Sequence, residues 1–311
     1  MSKKSVAFVQ GSEKNCGIYY YAQTVVDILK KSENYDFYLF ECDSEEEFHN
    51  RCKADVVIIN YHPTTLSWFN PAVSSRIKQM QFFIDDQADR KDRMYHLLPK
   101  VKEVITMDVT KPQELHFHPG VRPVQFYDDI VYNTPKLPIR IGTSGIGRMA
   151  KNLDKMVALI NSQFTEQVEF RIHLSVGKYA GFNDAQTVQL IDYCKRMLAP
   201  NIKCIFTNEK FSDRELVQWM NQNDVNIFIY DNADCDNVGS SIDKALAARK
   251  PFGVNSSNLL RHVFKDETNL EKTSIKQIIA NGIAPLEEYY NKWNSKKLID
   301  QYETLLRNNN V

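Results

Sequence analysis

A glycine-rich segment over 142–151 combines residue types that bind phosphate groups. It holds glycines, two hydroxyls and two cations, of which the residues of interest are Thr143, Ser144, Gly145, Arg148 and Lys151. Glycines let backbone amides approach an anion, and paired cations can neutralise a diphosphate. The glycine spacing is neither a dinucleotide fingerprint nor a P-loop, which disfavours an NAD cofactor and an NTPase. The segment therefore predicts a phosphate-binding loop, with a plain turn and solvated cations as the alternative.

A second polar segment, over 230–251, follows another apolar run. It passes from acidic residues into small and hydroxyl-bearing ones, and its predicted ligand-binding residues are Asp236, Asn237, Gly239, Ser240 and Ser241. A carboxylate can accept two sugar or ribose hydroxyls, and amides at a helix start can face an anion. One alternative is a capped helix with solvated acids. Another is a calcium site at Asp231, Asp234 and Asp236, although the EF-hand pattern is incomplete.

Acid–base candidates lie in the first half of the chain. Asp85 and Asp86 end an apolar run, where a carboxylate can orient or deprotonate a hydroxyl group. His62 also follows an apolar run and can exchange protons near neutral pH. The alternatives are helix capping for the aspartates and a structural role for the histidine.

Metal-binding patterns are sparse. His116 and His118 form an H-x-H pair with no third ligand nearby in sequence. The six cysteines contain no C-x-x-C pair, which favours reduced thiols over disulfides or structural zinc. We therefore expect no metal.

Apolar runs alternate with helical spacing along the whole chain and would position these residues. In the second half, strands are predicted at 139–142, 168–174, 202–206, 225–230 and 252–255. In the first half, strands are predicted at 5–10, 35–40, 55–60, 80–84 and 103–107. Ser212 and Glu215 form a capping box that predicts a helix start. This alternation predicts an α/β protein with two Rossmann-like βαβ lobes.

The proline-containing, aperiodic segment 128–138 is the predicted linker. The predicted domains are a first lobe over 1–137 and a second lobe over 138–285. The remaining segment, 286–311, is predicted to be helical. The 311 residues suffice for two domains of ordinary size.

Charge and hydropathy restrict the partners and the location. Lys and Arg number 39, as do Asp and Glu, which argues against a general nucleic-acid binder. No segment has the apolar length of a membrane span, and the start of the chain does not have the pattern of a signal peptide. We expect a cytoplasmic protein without an integral membrane segment.

With these motifs in this order, the chain resembles glycosyltransferases of the GT-B fold, particularly the retaining group that uses nucleotide sugars. The 139–145 segment and the run 151–154 are similar to that family's first donor-domain strand and loop, which implies a diphosphate-binding role for Arg148 and Lys151. The segment 236–251 is similar to one carrying two glutamates, whose positions fall here on Asp236 and Lys244. Asn208 falls where relatives meet the nucleotide base.

The same resemblance implies that the first lobe, 1–137, is the acceptor side, with Gly17, Tyr19 and Tyr20, and that the second lobe, 138–285, is the donor side. It also implies a central cleft between the lobes and a C-terminal segment, 286–311, that crosses back to the first lobe. Asp85 and Asp86 lie where relatives often carry a catalytic His-Asp pair. The implied reaction is metal-independent sugar transfer from a UDP- or GDP-sugar to a hydroxyl acceptor such as a saccharide, with no further cofactor. The alternatives are a non-catalytic sugar or nucleotide-sugar binder acting as a partner subunit, and a nucleotide-sugar epimerase.

Overall fold

The computed structural model describes residues 3–14, 17–85, 98, 100–114, 116–146, 151–175, 183–232 and 238–311, with only the backbone at Asp85, Ile146 and Asp184. These residues form two compact units. The first comprises the described residues of Met1–Gln125, Cys235–Val238 and Lys292–Val311. The second comprises those of Phe126–Asp234 and Gly239–Asn291.

The first unit contains a six-stranded, all-parallel sheet with the strand order β2-β1-β3-β4-β5-β6. Its elements are β1 (Lys4–Gln10), α1 (Gly17–Leu29), β2 (Tyr35–Glu41), α2 (Glu45–Arg51), β3 (Val56–Tyr61), α3 (Pro71–Arg76), β4 (Met80–Asp85), β5 (Val101–Thr106) and β6 (Phe117–Pro119). A last helix, α10 (Ser295–Asn308), also belongs to this unit.

Alternating side chains of β1 divide the core of the first unit into two layers. Val6 and Phe8 pack with α1 and α10 on one face, whereas Ala7 and Val9 pack with the other cluster. All four are fully buried. Both faces of the sheet are therefore covered, as parallel sheets require.

Helix α10 is held in the first unit by apolar and polar contacts. Its Tyr302 is buried in the same cluster as Phe8, with ring centroids 6.3 Å apart. The Glu303 carboxylate accepts hydrogen bonds from Ser32 Oγ at 2.6 Å and Asn34 Nδ2 at 2.7 Å. These bonds link α10 to the turn that follows α1.

The second unit contains a five-stranded, all-parallel sheet with the order β11-β10-β7-β8-β9. Its elements are β7 (Ile139–Ile146), α4 (Leu153–Gln163), β8 (Val168–Ser175), α5 (Asp184–Met197), β9 (Ile202–Thr207), α6 (Asp213–Asn221), β10 (Val225–Phe228), α7 (Ser241–Ala247), β11 (Phe252–Val254), α8 (Ile275–Asn281) and α9 (Glu287–Lys292). Short 3₁₀ turns cover Asn258–Val263, Asp266–Thr268 and Ala284–Leu286.

The two parallel sheets with intervening helices confirm the predicted α/β class and its two Rossmann-like βαβ lobes. The Ser212–Glu215 capping box is also confirmed, because both reciprocal hydrogen bonds start α6. The prediction for β7 was too short. This strand continues to Ile146, so residues 142–146 of the predicted loop are strand. The domain boundaries at 137 and 285 stay a prediction. Within the described part of the chain, no helix is long and apolar enough to cross a membrane.

Candidate functional site

Each sheet has one position from which successive strands are added first on one side and then on the other. In the first unit, successive strands leave β1 on opposite sides, which places this switch point between β1 and β3. In the second unit it lies between β7 and β10. Ligands of open parallel sheets bind beyond the carboxyl ends of the strands at such points, where the connections diverge. The residues that end these four strands are therefore the first to inspect.

Lys151 lies buried at the switch point of the second unit, with 8% of its surface exposed. Its Nζ donates to Tyr230 Oη at 2.9 Å and to the Ser144 carbonyl at 3.3 Å. The ammonium also lies 4.5 Å from the centroid of the Tyr230 ring, within cation–π distance. No carboxylate among the described residues pairs with it. Within the part of the chain that the structure describes, the cation is therefore held by neutral groups.

Gly145 makes room for this lysine. Its φ is +143°, and a Cβ placed there would lie 2.0 Å from Lys151 Nζ and 3.3 Å from Ser241 Oγ. An L side chain at this position would be strained and would displace the ammonium. Gly145 is one of the glycines from which the phosphate-binding loop was predicted. The position of Lys151 requires a glycine there. Gly142 has a different role, because its Cβ would meet the buried Asn223 amide.

Tyr230 connects Lys151 to the start of α7. Its hydroxyl donates to Ser241 Oγ at 3.2 Å while accepting from Lys151. The Asn255 side chain bonds to both backbone groups of Tyr230. It accepts from the Tyr230 N–H at 3.0 Å and donates to the Tyr230 carbonyl at 2.8 Å. Sequence reasoning missed Tyr230 as a site residue. Its place at the carboxyl end of the predicted strand 225–230 was the available signal.

Two buried polar groups beside Lys151 have no hydrogen-bond partner within the described residues. They are Ser144 Oγ and His173 Nδ1, on neighbouring positions of β7 and β8 that share one face of the sheet. His173 Nε2 donates to the Glu209 carbonyl at 3.0 Å, and its ring stacks on Phe211. Burial lowers the pKa of His173, and the charge of Lys151 lowers it further. The imidazole is therefore neutral at pH 7 and presents a lone pair on Nδ1.

The other described residues that were predicted on the donor side also lie in the second unit. Thr143 is buried in β7, Asn208 is exposed just after β9, and Ser240 is exposed before α7. The Gly239 N–H donates to the Leu259 carbonyl at 2.7 Å. Lys244 forms a half-buried ion pair with Asp213 of α6. Three predicted residues lie outside the described part of the chain, namely Arg148, Asp236 and Asn237.

The alternative calcium site has one described member. Asp231 accepts from Asn152 Nδ2 at 3.0 Å and from Lys155 Nζ at 3.2 Å. These contacts lower the pKa of the Asp231 carboxyl, with the Asn152 hydrogen bond as the largest cause. Asp234 and Asp236 lie outside the described residues. The Asp231 carboxylate thus anchors the start of α4 to the end of β10.

The predicted acceptor-side residues lie in the first unit. Gly17 begins α1, and a Cβ there would meet nothing within 4 Å. Tyr19 is buried and donates to Glu41 Oε1 at 2.5 Å, and burial together with this bond raises the pKa of its hydroxyl. Tyr20 is half-buried and stands edge-on to Tyr19. The Tyr19 hydroxyl therefore forms a hydrogen bond within the first unit.

The predicted acid–base residues end neighbouring strands of the same sheet. His62 follows β3 and is half-buried, with its Nδ1 accepting from the Thr64 N–H at 3.2 Å. Asp85 is the last residue of β4, and its backbone is paired with Tyr61 of β3. Asp86 lies outside the described residues. The backbone register thus places Asp85 and the His62 region beside one another.

The H-x-H pair converges on one carboxylate. His116 Nδ1 and His118 Nε2 lie 3.2 Å and 3.1 Å from Glu103 Oε2, beside an open polar pocket. No group of three or more candidate metal ligands with suitable geometry occurs among the residues that the structure describes.

No protein-family model matches this sequence, and no curated protein matches it. Solved structures do match in fold. The crystal structure of Anabaena HepE in complex with UDP-glucose is 11% identical, with a TM-score of 0.66 over 98% of this chain and 100% of that chain. Sucrose-phosphate synthase from Thermosynechococcus elongatus is 12% identical, with a TM-score of 0.66 over 98% of this chain and 99% of that one.

The N-terminal domain of Candida albicans trehalose-6-phosphate phosphatase is 7% identical, again with a TM-score of 0.66, over 100% of this chain and 98% of that chain. At these identities the likeness establishes the fold alone. The chain has the GT-B fold, which confirms the architecture implied by the sequence resemblance.

Proposed function

We propose that this chain is a glycosyltransferase that moves a sugar from a nucleoside diphosphate sugar to an acceptor hydroxyl. The observation that carries the proposal is the buried Lys151 at the switch point of the second sheet, where its partners among the described residues are all neutral groups. The GT-B fold supports it, since HepE, of the same fold, is described with UDP-glucose bound. UDP- and GDP-sugars are the proposed donors.

The buried ammonium of Lys151 needs a source of negative charge. A buried ammonium is costly unless an anion or a set of hydrogen bonds offsets its lost hydration. Tyr230 Oη and the Ser144 carbonyl supply two hydrogen bonds but no charge. A diphosphate can supply the charge, and it also offers acceptor oxygens for the Ser144 hydroxyl.

In the proposed reaction, negative charge accumulates on the departing diphosphate as the sugar–oxygen bond breaks. Lys151 stabilises that charge, and a cation already in place needs little reorganisation as the charge develops. Tyr230 holds the lysine in position, and Arg148 is proposed as the second cation. Asp85, Asp86 and His62 stay the predicted groups that orient or deprotonate the acceptor. Because side chains supply the positive charge, we expect binding that does not depend on a metal.

Calorimetric titration with UDP and GDP, with and without EDTA, tests the donor site. We expect one of them to bind wild-type protein in EDTA, and Lys151→Met to weaken that binding about tenfold to a hundredfold. Lys155→Met is the matched control, because Lys155 is an exposed lysine four positions along the chain that pairs with Asp231. Equal affinities in the two variants, or no binding by wild type, would contradict the proposal.

A non-catalytic nucleotide-sugar binder is the second candidate function. One observation favours it. Lys244 occupies a position where the sequence resemblance implies a glutamate, and it is paired with Asp213. Both functions predict nucleotide binding, so turnover must separate them. Release of UDP or GDP from the matching sugar nucleotide, with a panel of saccharide acceptors, supports the enzyme. Binding without release under all these conditions supports the binder.

A further inference from the structure

The switch point of the first unit carries a pair of buried side-chain amides. Gln10 ends β1 and Asn60 lies one residue before the end of β3, and they are 2% and 0% exposed. Asn60 Nδ2 donates to Gln10 Oε1 at 3.3 Å and to the Ile18 carbonyl at 3.2 Å. The pair therefore lies against the first turn of α1.

The hydrogen bonds determine the orientation of both amides. The Ile18 carbonyl can only accept, so the Asn60 group that faces it must be the amino group. Asn60 Oδ1 then points elsewhere. Gln10 must in turn present its carbonyl oxygen to Asn60 Nδ2, which leaves its own amino group pointing away. Gln10 Nε2 and Asn60 Oδ1 are both buried, and no other residue that the structure describes bonds to either of them.

A buried amide elsewhere in this sheet behaves differently. Gln81 of β4 is fully buried, and it uses both ends of its amide on Ser74. Its Oε1 accepts from Ser74 Oγ at 2.7 Å, and its Nε2 donates to the Ser74 carbonyl at 2.8 Å. Buried side-chain amides are normally satisfied in this way. The unpartnered donor and acceptor at the switch point therefore need an explanation other than packing.

We propose that Gln10 and Asn60 bind a hydroxyl group of a saccharide ligand. A hydroxyl can accept from Gln10 Nε2 and donate to Asn60 Oδ1 at once, which neither an ammonium nor a phosphate oxygen can do. Next to Ile18, Gly17 adjoins open space, since a Cβ there would meet nothing within 4 Å. A sugar ring beside Gly17 would bring a hydroxyl to the amide pair. The proposal does not rest on the donor site, which belongs to the other unit.

Saturation-transfer NMR of the full chain with D-glucose, D-mannose and N-acetyl-D-glucosamine tests this site. We expect at least one sugar to bind wild-type protein, and Gln10→Met and Gln10→Leu to weaken that binding about fivefold, as expected for one lost hydrogen bond of about 1 kcal/mol to a neutral ligand. Gln23→Met is the matched control, because Gln23 lies on α1 and its side-chain partner among the described residues is Asp27. Thermal melts verify that each variant is folded.

The outcomes separate this proposal from the donor site. Sugar binding that is unchanged in Lys151→Met and weakened in both Gln10 variants supports it, whether or not UDP or GDP binds. Absence of binding by all three sugars would overturn it and leave an internal water as the partner of the amides. Equal affinities in the Gln10 variants and in Gln23→Met would also overturn it, by placing the sugar elsewhere.

Discussion

The two switch points hold different kinds of buried polar group. In the second unit, a cation is surrounded by a carbonyl, two hydroxyls and a neutral imidazole. In the first unit, two amides face each other, and no charged side chain among the described residues is bonded to them. Both sheets are parallel and of similar size, so the difference comes from a few residues at the strand ends.

This difference indicates what each unit can recognise. A buried charge binds an anion strongly and discriminates poorly among anions, whereas a neutral donor–acceptor pair selects the group that satisfies both partners. Under the two proposals, the second unit holds a phosphate group and the first selects a hydroxyl. The following variants separate these roles.

The largest effect is expected from Gly145→Ala. The substitution strains a backbone at φ +143° and places a methyl group 2.0 Å from Lys151 Nζ. We expect unfolding free energy to fall by about 2 kcal/mol, and UDP or GDP affinity to fall with it, because the ammonium is displaced. Urea denaturation and calorimetry measure the two effects.

Gly17→Ala is the matched control in the first unit. Gly17 begins α1, where φ is not positive and the new methyl group meets nothing within 4 Å. Its unfolding free energy should stay within about 0.5 kcal/mol of wild type. A Gly145→Ala protein as stable as Gly17→Ala, with unchanged nucleotide affinity, would show that glycine at 145 is not required by the lysine.

The next effect compares two glutamines of one sheet. Gln81→Met removes the hydrogen-bond partners of the Ser74 hydroxyl and the Ser74 carbonyl. It should lower the unfolding free energy by about 1–3 kcal/mol. Gln10→Met breaks the bond from Asn60 Nδ2 to Gln10 Oε1 but also removes a buried donor that no described residue satisfies, so without ligand it should cost less than about 1 kcal/mol. Chemical denaturation without sugars checks the contrast. If the two variants lose equal stability, the Gln10 amide is as well satisfied as that of Gln81.

The fold was largely predictable from the sequence because buried parallel strands are short apolar runs that alternate with helical spacing. The β1 and β3 regions followed this rule closely. The β7 boundary did not, because Gly142, Thr143, Ser144 and Gly145 have the composition of a loop. Gly142 is nevertheless packed in the strand against Asn223, a long-range contact that local pattern cannot reveal.

The candidate site was less predictable. Lys151 was predicted from its place after a glycine-rich strand end, but its burial and its partner Tyr230 depend on contacts across 79 positions. A tyrosine at the end of an apolar run most often packs in the core, so the residue type alone gave little evidence for a role in the site. Gln10 and Asn60 were read only as strand ends. The case for a binding role rests on which of their amide atoms lack a partner among the described residues. That can be seen only in the three-dimensional structure.

A smaller effect is expected for Tyr230→Phe. This variant keeps the ring beneath Lys151 but removes the hydroxyl that links the ammonium to Ser241. Nucleotide affinity should fall about fivefold, which corresponds to one lost hydrogen bond of about 1 kcal/mol. Tyr132→Phe, in the same unit, is the control. An affinity equal to that of the control would mean that the lysine holds its position without Tyr230.

The smallest effect is a pH dependence that only the second switch point should show. Burial keeps the pKa of His173 in the folded protein below its ordinary value of 6.5, so the unfolded chain binds more protons as the pH falls. His173 therefore contributes its full stability above the unfolded pKa, and loses it as the pH falls towards the folded pKa. His173→Gln should flatten the decline in unfolding free energy between about pH 7.5 and pH 5.5. Gln10→Met should leave that decline as steep as in wild type, because an amide does not titrate. Urea denaturation at the two pH values measures this, and equal slopes in wild type and His173→Gln would place the acid-sensitive group elsewhere.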